Sequence, residues 1–547
     1  MARPEDEEVD YCIVGAGVAG CVVANRLTED ANTSVALLEA GPRDWHPWIH
    51  IPATCLWLQS DARFNWLYES ELVPESGGRR FRISQGRVLG GSGSINGMLH
   101  VRGQAADFDS WAQSGCRGWS HDEVLPFFAK AESYDGAGDA ALRGRDGPLA
   151  VSDFLAVHPL TQAFLDAAQE SGVQVNADMN GASREGAALY QQNRRGRFRA
   201  NAGQTYLRAA RRRPNLRLLT EAPVTRILFE GRRAVGIAYR RDGMERIIRA
   251  RREVILSGGA MRSPHLLQLS GIGDASWLRA CGIAPLLGLP GVGRNLRDHY
   301  QIRVAHRVGG VVTLNERTRG LAVVKEALAY AFLGRGMLTM GAGTAALFHR
   351  SREGLAAPDS QLVFAPGSFA APGVLEREPG MTIGGWPSRP ESHGTVRLRT
   401  AEPLEPPAIS PGYLSAQEDR RVIVSCLRMI RRLFAAPSLA RWSRHETFPG
   451  DAVHSDDELL DFARQRGSAG LHFTGTCRMG SDPGAVVDPR LRLRGVEGLR
   501  VVDASIMPNC TVGNTNATVV MVAEKGAAMI REDALQSIAA RQAAAAT

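Results

Sequence analysis

The sequence predicts an α/β chain, α+β overall, divided into at least two domains. Three observations carry this expectation. The chain has 547 residues, more than one core of ordinary size organises. Residues 9–40 run as a short apolar strand, a glycine cluster, a helical stretch and a second apolar strand. Further on, alternating and helical spacings succeed one another, as in 394–399 and 415–435, until a strand pattern returns at 499–503.

The first of these regions is the most specific. VDYCIV (9–14) reads as a buried strand, and GAGVAG follows it at once, with Gly15, Gly17 and Gly20 in GxGxxG spacing around Ala19. VVANRLTED continues as a helix, and SVALLEAG is a second strand ending at Glu39 and Ala40. Each part has its own physical task. Gly15 permits the tight turn, Gly17 lets backbone approach a pyrophosphate, and Gly20 lets helix and strand pack closely. The helix N-terminus offers N–H groups and its dipole to phosphate, and Glu39 is placed to accept from an adenosine ribose. Together they predict a Rossmann-type dinucleotide-binding unit, with NAD and FAD both open at this point.

A second glycine cluster narrows that choice. Residues 86–103, GRVLGGSGSINGMLHVRG, interleave Gly90, Gly91, Gly93 and Gly97 with Ser92, Ser94 and Asn96. Such a loop exposes many backbone N–H groups and admits a flat ligand at close range. It resembles the first signature of the glucose–methanol–choline (GMC) oxidoreductase family. Residues 258–273, GGAMRSPHLLQLSGIG, resemble the second, and the stretch from HFTGTCRMG at His472 through LRVVDASIMPNCTVGNTNATVV resembles the closing segment. The resemblance spans essentially the whole chain, in family order.

The resemblance implies FAD on a discontinuous domain, 1–160, 200–305 and 468–547. Residues 161–199 and 306–467 would form a substrate domain on an antiparallel sheet flanked by helices. Beyond the N-terminal unit it implies cofactor contacts at Arg87, Gly90, Gly91, Ser92, Asn96, Gly97, Met98, Val224 and Gly258. It adds Asp503, Ala504, Asn514 and Thr515 near the C-terminus. Some choline-oxidising members tether the flavin through a histidine where Ile95 stands here, so FAD is expected to be non-covalent.

For chemistry, histidine is the natural base, because its ordinary pKa lies nearest neutrality. The resemblance implies that His472 takes the hydroxyl proton of a substrate alcohol while Asn514 holds its oxygen, and that hydride passes to the flavin, leaving an aldehyde. His100, His265, His299 and His454 are read as structural. Trp386, Arg389 and Leu471 are expected to line the substrate pocket. An arginine at 389 disfavours the quaternary ammonium of choline and favours a neutral or aromatic primary alcohol. Oxidases of the family often carry a small branched residue two positions before the catalytic histidine; Gly470 stands there, leaving O2 and a quinone-type acceptor both open. The alternative reading is a flavin-containing lyase of the same family, of the hydroxynitrile lyase or fatty acid decarboxylase type.

Composition excludes other classes. The net charge of +8 comes almost entirely from arginine, with lysine only at 130, 325 and 525. These charges are scattered rather than gathered in a stripe, so no nucleic-acid partner is expected. Eight cysteines without a CxxC pair point to a reducing compartment and no disulfide framework. No metal is expected. MARPEDEEVD is acidic and lacks an apolar stretch, so no signal peptide is read there and a cytoplasmic protein is expected. Segment 321–348 reads as a partly exposed helix and loop near the active site, which keeps peripheral membrane contact open. The alanine-rich tail is expected to fray.

Overall fold

The computed structural model describes residues 7–371 and 373–546; the first six residues of the N-terminal decapeptide lie outside them. Strand Glu7–Val14, buried from Val9 onward, pairs in parallel with Val35–Leu38 on one side and Met244–Leu256 on the other. Leu216–Leu219 continues the parallel array past Val35–Leu38, and Leu499–Val501 lies parallel to Val254–Leu256. Four of the six pairings in this seven-stranded sheet are parallel. The front of the Met244–Leu256 strand pairs antiparallel with Arg233–Arg241, and that strand with Val224–Glu230. Helix Val18–Leu27 follows the first glycine turn and packs against Asn516–Ala546, the last helix. Val22, Val23, Ile13, Leu37, Val254 and Met521 meet in one apolar core. The backbone of the alanine-rich tail continues that helix to Ala546.

A second seven-stranded sheet is antiparallel throughout. Its order is Ser443–Phe448, Tyr300–Val308, Gly380–Pro387, Ser360–Ala365, Ala345–His349 and Gly186–Leu189, with Ser468–Ala469 beside Tyr300–Gln301. Strand Tyr300–Val308 runs across the boundary expected at 305/306. Side chains alternate across this sheet with period two. Ala345, Leu347, Leu362, Phe364, Met381 and Ile383 face a core shared with helices Pro159–Glu170 and Gln417–Ala435. Ala346 and Phe348 point the other way, to Val101 and Val512. The helices thus cover one face and leave the opposite one turned toward the glycine loops and the C-terminal segment. Trp386 has the parity of that second face.

Candidate active site

The first glycine turn is shaped by close backbone contacts. Gly15 has φ +97°, and a Cβ there would stand 2.6 Å from the Ser257 carbonyl oxygen. A Cβ on Gly20 would collide with the Gly15 carbonyl. Gly17 differs: nothing lies within 3.9 Å of its Cβ position except Gly91 Cα and the Ser257 oxygen, both at that distance. Helix Val18–Leu27 starts here with no side-chain cap and no acid in its first turn, so its N–H groups and dipole face an open cradle. The second loop closes the cradle from the other side. Gly90 N–H donates to the Ala16 carbonyl at 2.8 Å, and Gly90 and Gly91 take φ +87° and +57°. Met98 is left-handed too, at φ +61°, with its N–H on Asn96 Oδ1 (3.0 Å). Ser92 Oγ accepts from Gly86 N–H, and Arg199 donates to the Asn96 oxygens. Gly97 lies under Ala342, whose Cβ would stand 2.8 Å from a Cβ at 97.

Glu39 is buried at the end of its strand, accepting from Ala16 N–H (3.0 Å) and Gly41 N–H (2.9 Å). Burial pushes its carboxyl up to about 7 against those donors, and Ala40 follows it half-buried. Ala19 is buried in the first helical turn. The Arg87 guanidinium lies over the Trp66 ring, 5.5 Å from its centroid. Val224 starts the edge strand of the first sheet, and Gly258 precedes helix Gly259–Leu269. The Asp503 side chain is turned into the protein. Its two oxygens accept from Gly259 N–H, Ser505 N–H and the hydroxyls of Ser263 and Ser505, so the carboxylate belongs to the scaffold and the backbone at Asp503 and Ala504 is what remains to meet a cofactor.

His472 is reached from the edge strand Ser468–Ala469 through Gly470 and Leu471. Leu471 is left-handed, φ +66°, a conformation that strains a branched side chain. Asp298 holds it there, accepting from Leu471 N–H (3.3 Å) and His472 N–H (2.6 Å) and from the Tyr413 hydroxyl. Asn514 follows Gly513 (φ +103°), just before the last helix. The two meet as expected: Asn514 Nδ2 lies 2.9 Å from His472 Nε2, while Asn514 Oδ1 is buried without a partner.

One residue read as structural belongs here instead. His299 Nδ1 lies 2.8 Å from His472 Nδ1, and His299 Nε2 lies 3.0 Å from the Ser388 carbonyl. A carbonyl only accepts, so His299 carries its proton on Nε2 and presents a lone pair at Nδ1. His472 must then donate from Nδ1, which leaves Nε2 unprotonated and facing the Asn514 amide. Burial and the neighbouring His299 hold His472 well below the ordinary imidazole value, and burial pushes His299 down to about 4. Both rings are therefore neutral at neutral pH. Trp386 stacks on His299 and stands 6.0 Å from each imidazole centroid. Arg389 is not brought to this cluster. Its guanidinium lies 3.5 Å from Asp107 and 3.3 Å from Ser110, one residue out of phase with the inward-facing 386 and 388. His100, paired with Glu132 and Asn193, and His265, beside Arg262, are structural.

Gly470 has a steric reason. Its N–H donates to the His299 carbonyl at 2.7 Å, and a Cβ would come within 2.5 Å of that oxygen and 2.9 Å of His299 Cβ. Gly470→Val should displace His299 from His472 and slow flavin reduction by about 10²-fold, measured by stopped-flow on the holoprotein; an undiminished rate would contradict this packing.

The family model for GMC oxidoreductases matches residues 9–301, and its C-terminal counterpart matches residues 390–523. The chain belongs to the GMC oxidoreductase family. This GMC chain is 42% identical to the human mitochondrial choline dehydrogenase over 96% of its own length and 90% of that protein. It is 39% identical to an alcohol dehydrogenase [acceptor] of Pseudomonas putida over 95% of both. Among solved structures it is similar to pyridoxine 4-oxidase from Mesorbium loti, with a TM-score of 0.85 and 31% identity, covering 96% of this chain and 99% of that one. The GMC chain is accordingly an FAD-dependent oxidoreductase. Its residues fit the cofactor: the uncapped helix and the Gly17–Gly91 cradle suit the pyrophosphate, and the orphaned Asn514 Oδ1 awaits a partner.

Proposed function

We propose that this enzyme oxidises a primary alcohol, neutral or aromatic, to the aldehyde, with His472 as base and Asn514 as the group that orients the substrate oxygen. The supporting observation is the chain Ser388 carbonyl–His299–His472–Asn514, which leaves one basic lone pair, on His472 Nε2, at the Asn514 amide. An alcohol oxygen entering between them gives its proton to His472 Nε2 and accepts from Asn514 Nδ2. FAD, when bound, supplies the hydride acceptor for the carbinol carbon. The electrons then leave to O2 or a quinone-type acceptor. The segments 1–160, 200–305 and 468–547 would hold the flavin and 161–199 and 306–467 the substrate side, each built around one of the two sheets. FAD is held non-covalently, since Ile95 is a buried apolar residue packed on Ile49, Leu58, Phe64 and Val88.

The substrate class rests on the wall beside His472. Trp386 gives it an aromatic face. Asp298 is committed to backbone N–H groups and the Tyr413 hydroxyl, and Asp107 to backbone N–H groups through one oxygen and to Arg389 through the other, so both carboxylates already have partners. Arg389, turned to Asp107, no longer argues against choline; the commitment of both carboxylates does. The test is anaerobic. Holoprotein is mixed with aliphatic, aromatic and heteroaromatic primary alcohols and with choline, and flavin bleaching is followed. Bleaching by the neutral or aromatic class is expected. Bleaching by choline alone would overturn the substrate class, and a flavin that no alcohol reduces would overturn the reaction.

A further inference from the structure

Helix Gly320–Leu328, extended by Ala329–Leu333, is built inside out. None of the residues of Gly320–Leu328 is buried. Leu321, Val324, Leu328 and Phe332 recur at helical spacing, and they are 88%, 52%, 53% and 79% exposed. The acid of the helix, Glu326, faces the protein instead, accepting from Met337 N–H at 2.8 Å and pairing with Arg317 at 3.3 Å. A surface helix of a water-soluble domain has the opposite polarity.

Neighbouring segments continue the apolar face. Trp48 and Trp57 lie 5.7 Å apart and are about half exposed, and Trp45 is 71% exposed. Their segment packs against Met337–Thr339, which follows the helix. Phe198 adds a ring against Tyr330, with the Arg197 guanidinium over both. Exposed apolar area of this extent marks an interaction site, and tryptophan suits the boundary between headgroups and acyl chains. The charge is one-sided as well: residues 317–335 hold Arg317, Arg319, Lys325 and Arg335 against the single, inward-turned Glu326. Among the described residues no helix is long and apolar enough to cross a membrane, so an element of this kind lies in the interface.

We propose that the helix at 320–333 and the tryptophan segment at 45–57 dock this protein on the surface of an anionic phospholipid bilayer. Apolar side chains enter the headgroup boundary, and Lys325, Arg335 and Arg319 meet lipid phosphates. The loop leaving the helix runs directly onto the cofactor cradle, where Ala342 N–H reaches the Gly97 carbonyl at 3.4 Å, so the docked face is the one beneath which the glycine loop sits.

Co-sedimentation of the holoprotein with vesicles tests this. Binding to phosphatidylcholine mixed with phosphatidylglycerol is expected to be at least about tenfold tighter than to phosphatidylcholine alone, and to weaken with added salt. The variant L321E/F332E/L333E should stay in the supernatant while retaining FAD and anaerobic bleaching by alcohol. Lys325→Gln with Arg335→Gln should lose most of the preference for the anionic vesicles. A wild-type protein that ignores both vesicle types would overturn the proposal, as would a triple-glutamate variant that still sediments. A wild-type dimer that the triple variant abolishes, without any vesicle binding, would assign the face to a second copy of the chain and overturn it as well.

Discussion

His472→Ala is expected to keep its FAD and to lose alcohol-driven bleaching by about 10²- to 10⁴-fold, the usual share of a positioned proton acceptor. The glycine loops at 15–20 and 90–98 are untouched by the change, so flavin content measured after gel filtration should equal that of the parent. The pH profile adds a second readout. The base must be neutral to act, and burial first, then His299, lowers the His472 pKa. In the parent enzyme, kcat/KM should therefore stay level as pH falls through the ordinary imidazole value of about 6.5 and decline only below it. In His472→Ala that acid limb should vanish along with the rate. Reduction at the parental rate would remove His472 from the reaction.

His299→Leu should slow reduction by about 10²-fold although His299 meets no reacting atom. Its role is positioning: the lone pair on its Nδ1 accepts the His472 Nδ1 proton and so keeps Nε2 basic. A wrong imidazole tautomer is known to be costly in proton-transfer sites, and leaving the His472 N–H buried without an acceptor costs about 1–3 kcal/mol in addition. Two measurements separate this from a packing defect. His299 repels a protonated His472 only once it is itself protonated, at about 4; above that its lone pair favours the imidazolium, so losing it should move the acid limb further down in pH. His299→Asn, whose side-chain oxygen can still accept, should recover part of the rate. A limb that stays in place, with no recovery in the asparagine variant, would make His299 a packing residue only.

Local patterns carried the legible part of the fold. Strand 7–14, the glycine turn and helix 18–27 follow from apolar spacing and from glycines that backbone contacts make obligatory. Helices 417–435 and 456–466 follow from periodicity alone. The antiparallel pairings of 224–256 were illegible, because only the start of that region reads as a short strand and pairing partners leave no mark in spacing. His472 and Asn514, 42 positions apart, could be joined only through the family's closing segment. His299 lies 173 residues from His472, and nothing in a lone histidine reveals that a turn will carry another imidazole onto it. Arg389 fails for a reason of parity: the strand ends at Pro387, and a side chain one position past Ser388 leaves the inward face.

The order of the first sheet also fixes a timetable for biosynthesis. Strand 7–14 leaves the ribosome almost 500 residues before strand 499–501, and the helix that packs on 18–27 emerges later still. Until they arrive, the edge of Val254–Leu256 that Leu499–Val501 covers lacks its backbone partners, and the apolar flank of the first helix is bare. Asn514 and the Asp503–Ala504 turn are likewise missing from the cradle. Flavin loading thus waits until residue 514 has emerged, and a nascent chain interrupted before residue 499 presents unpaired strand and apolar surface to chaperones rather than a nucleotide site.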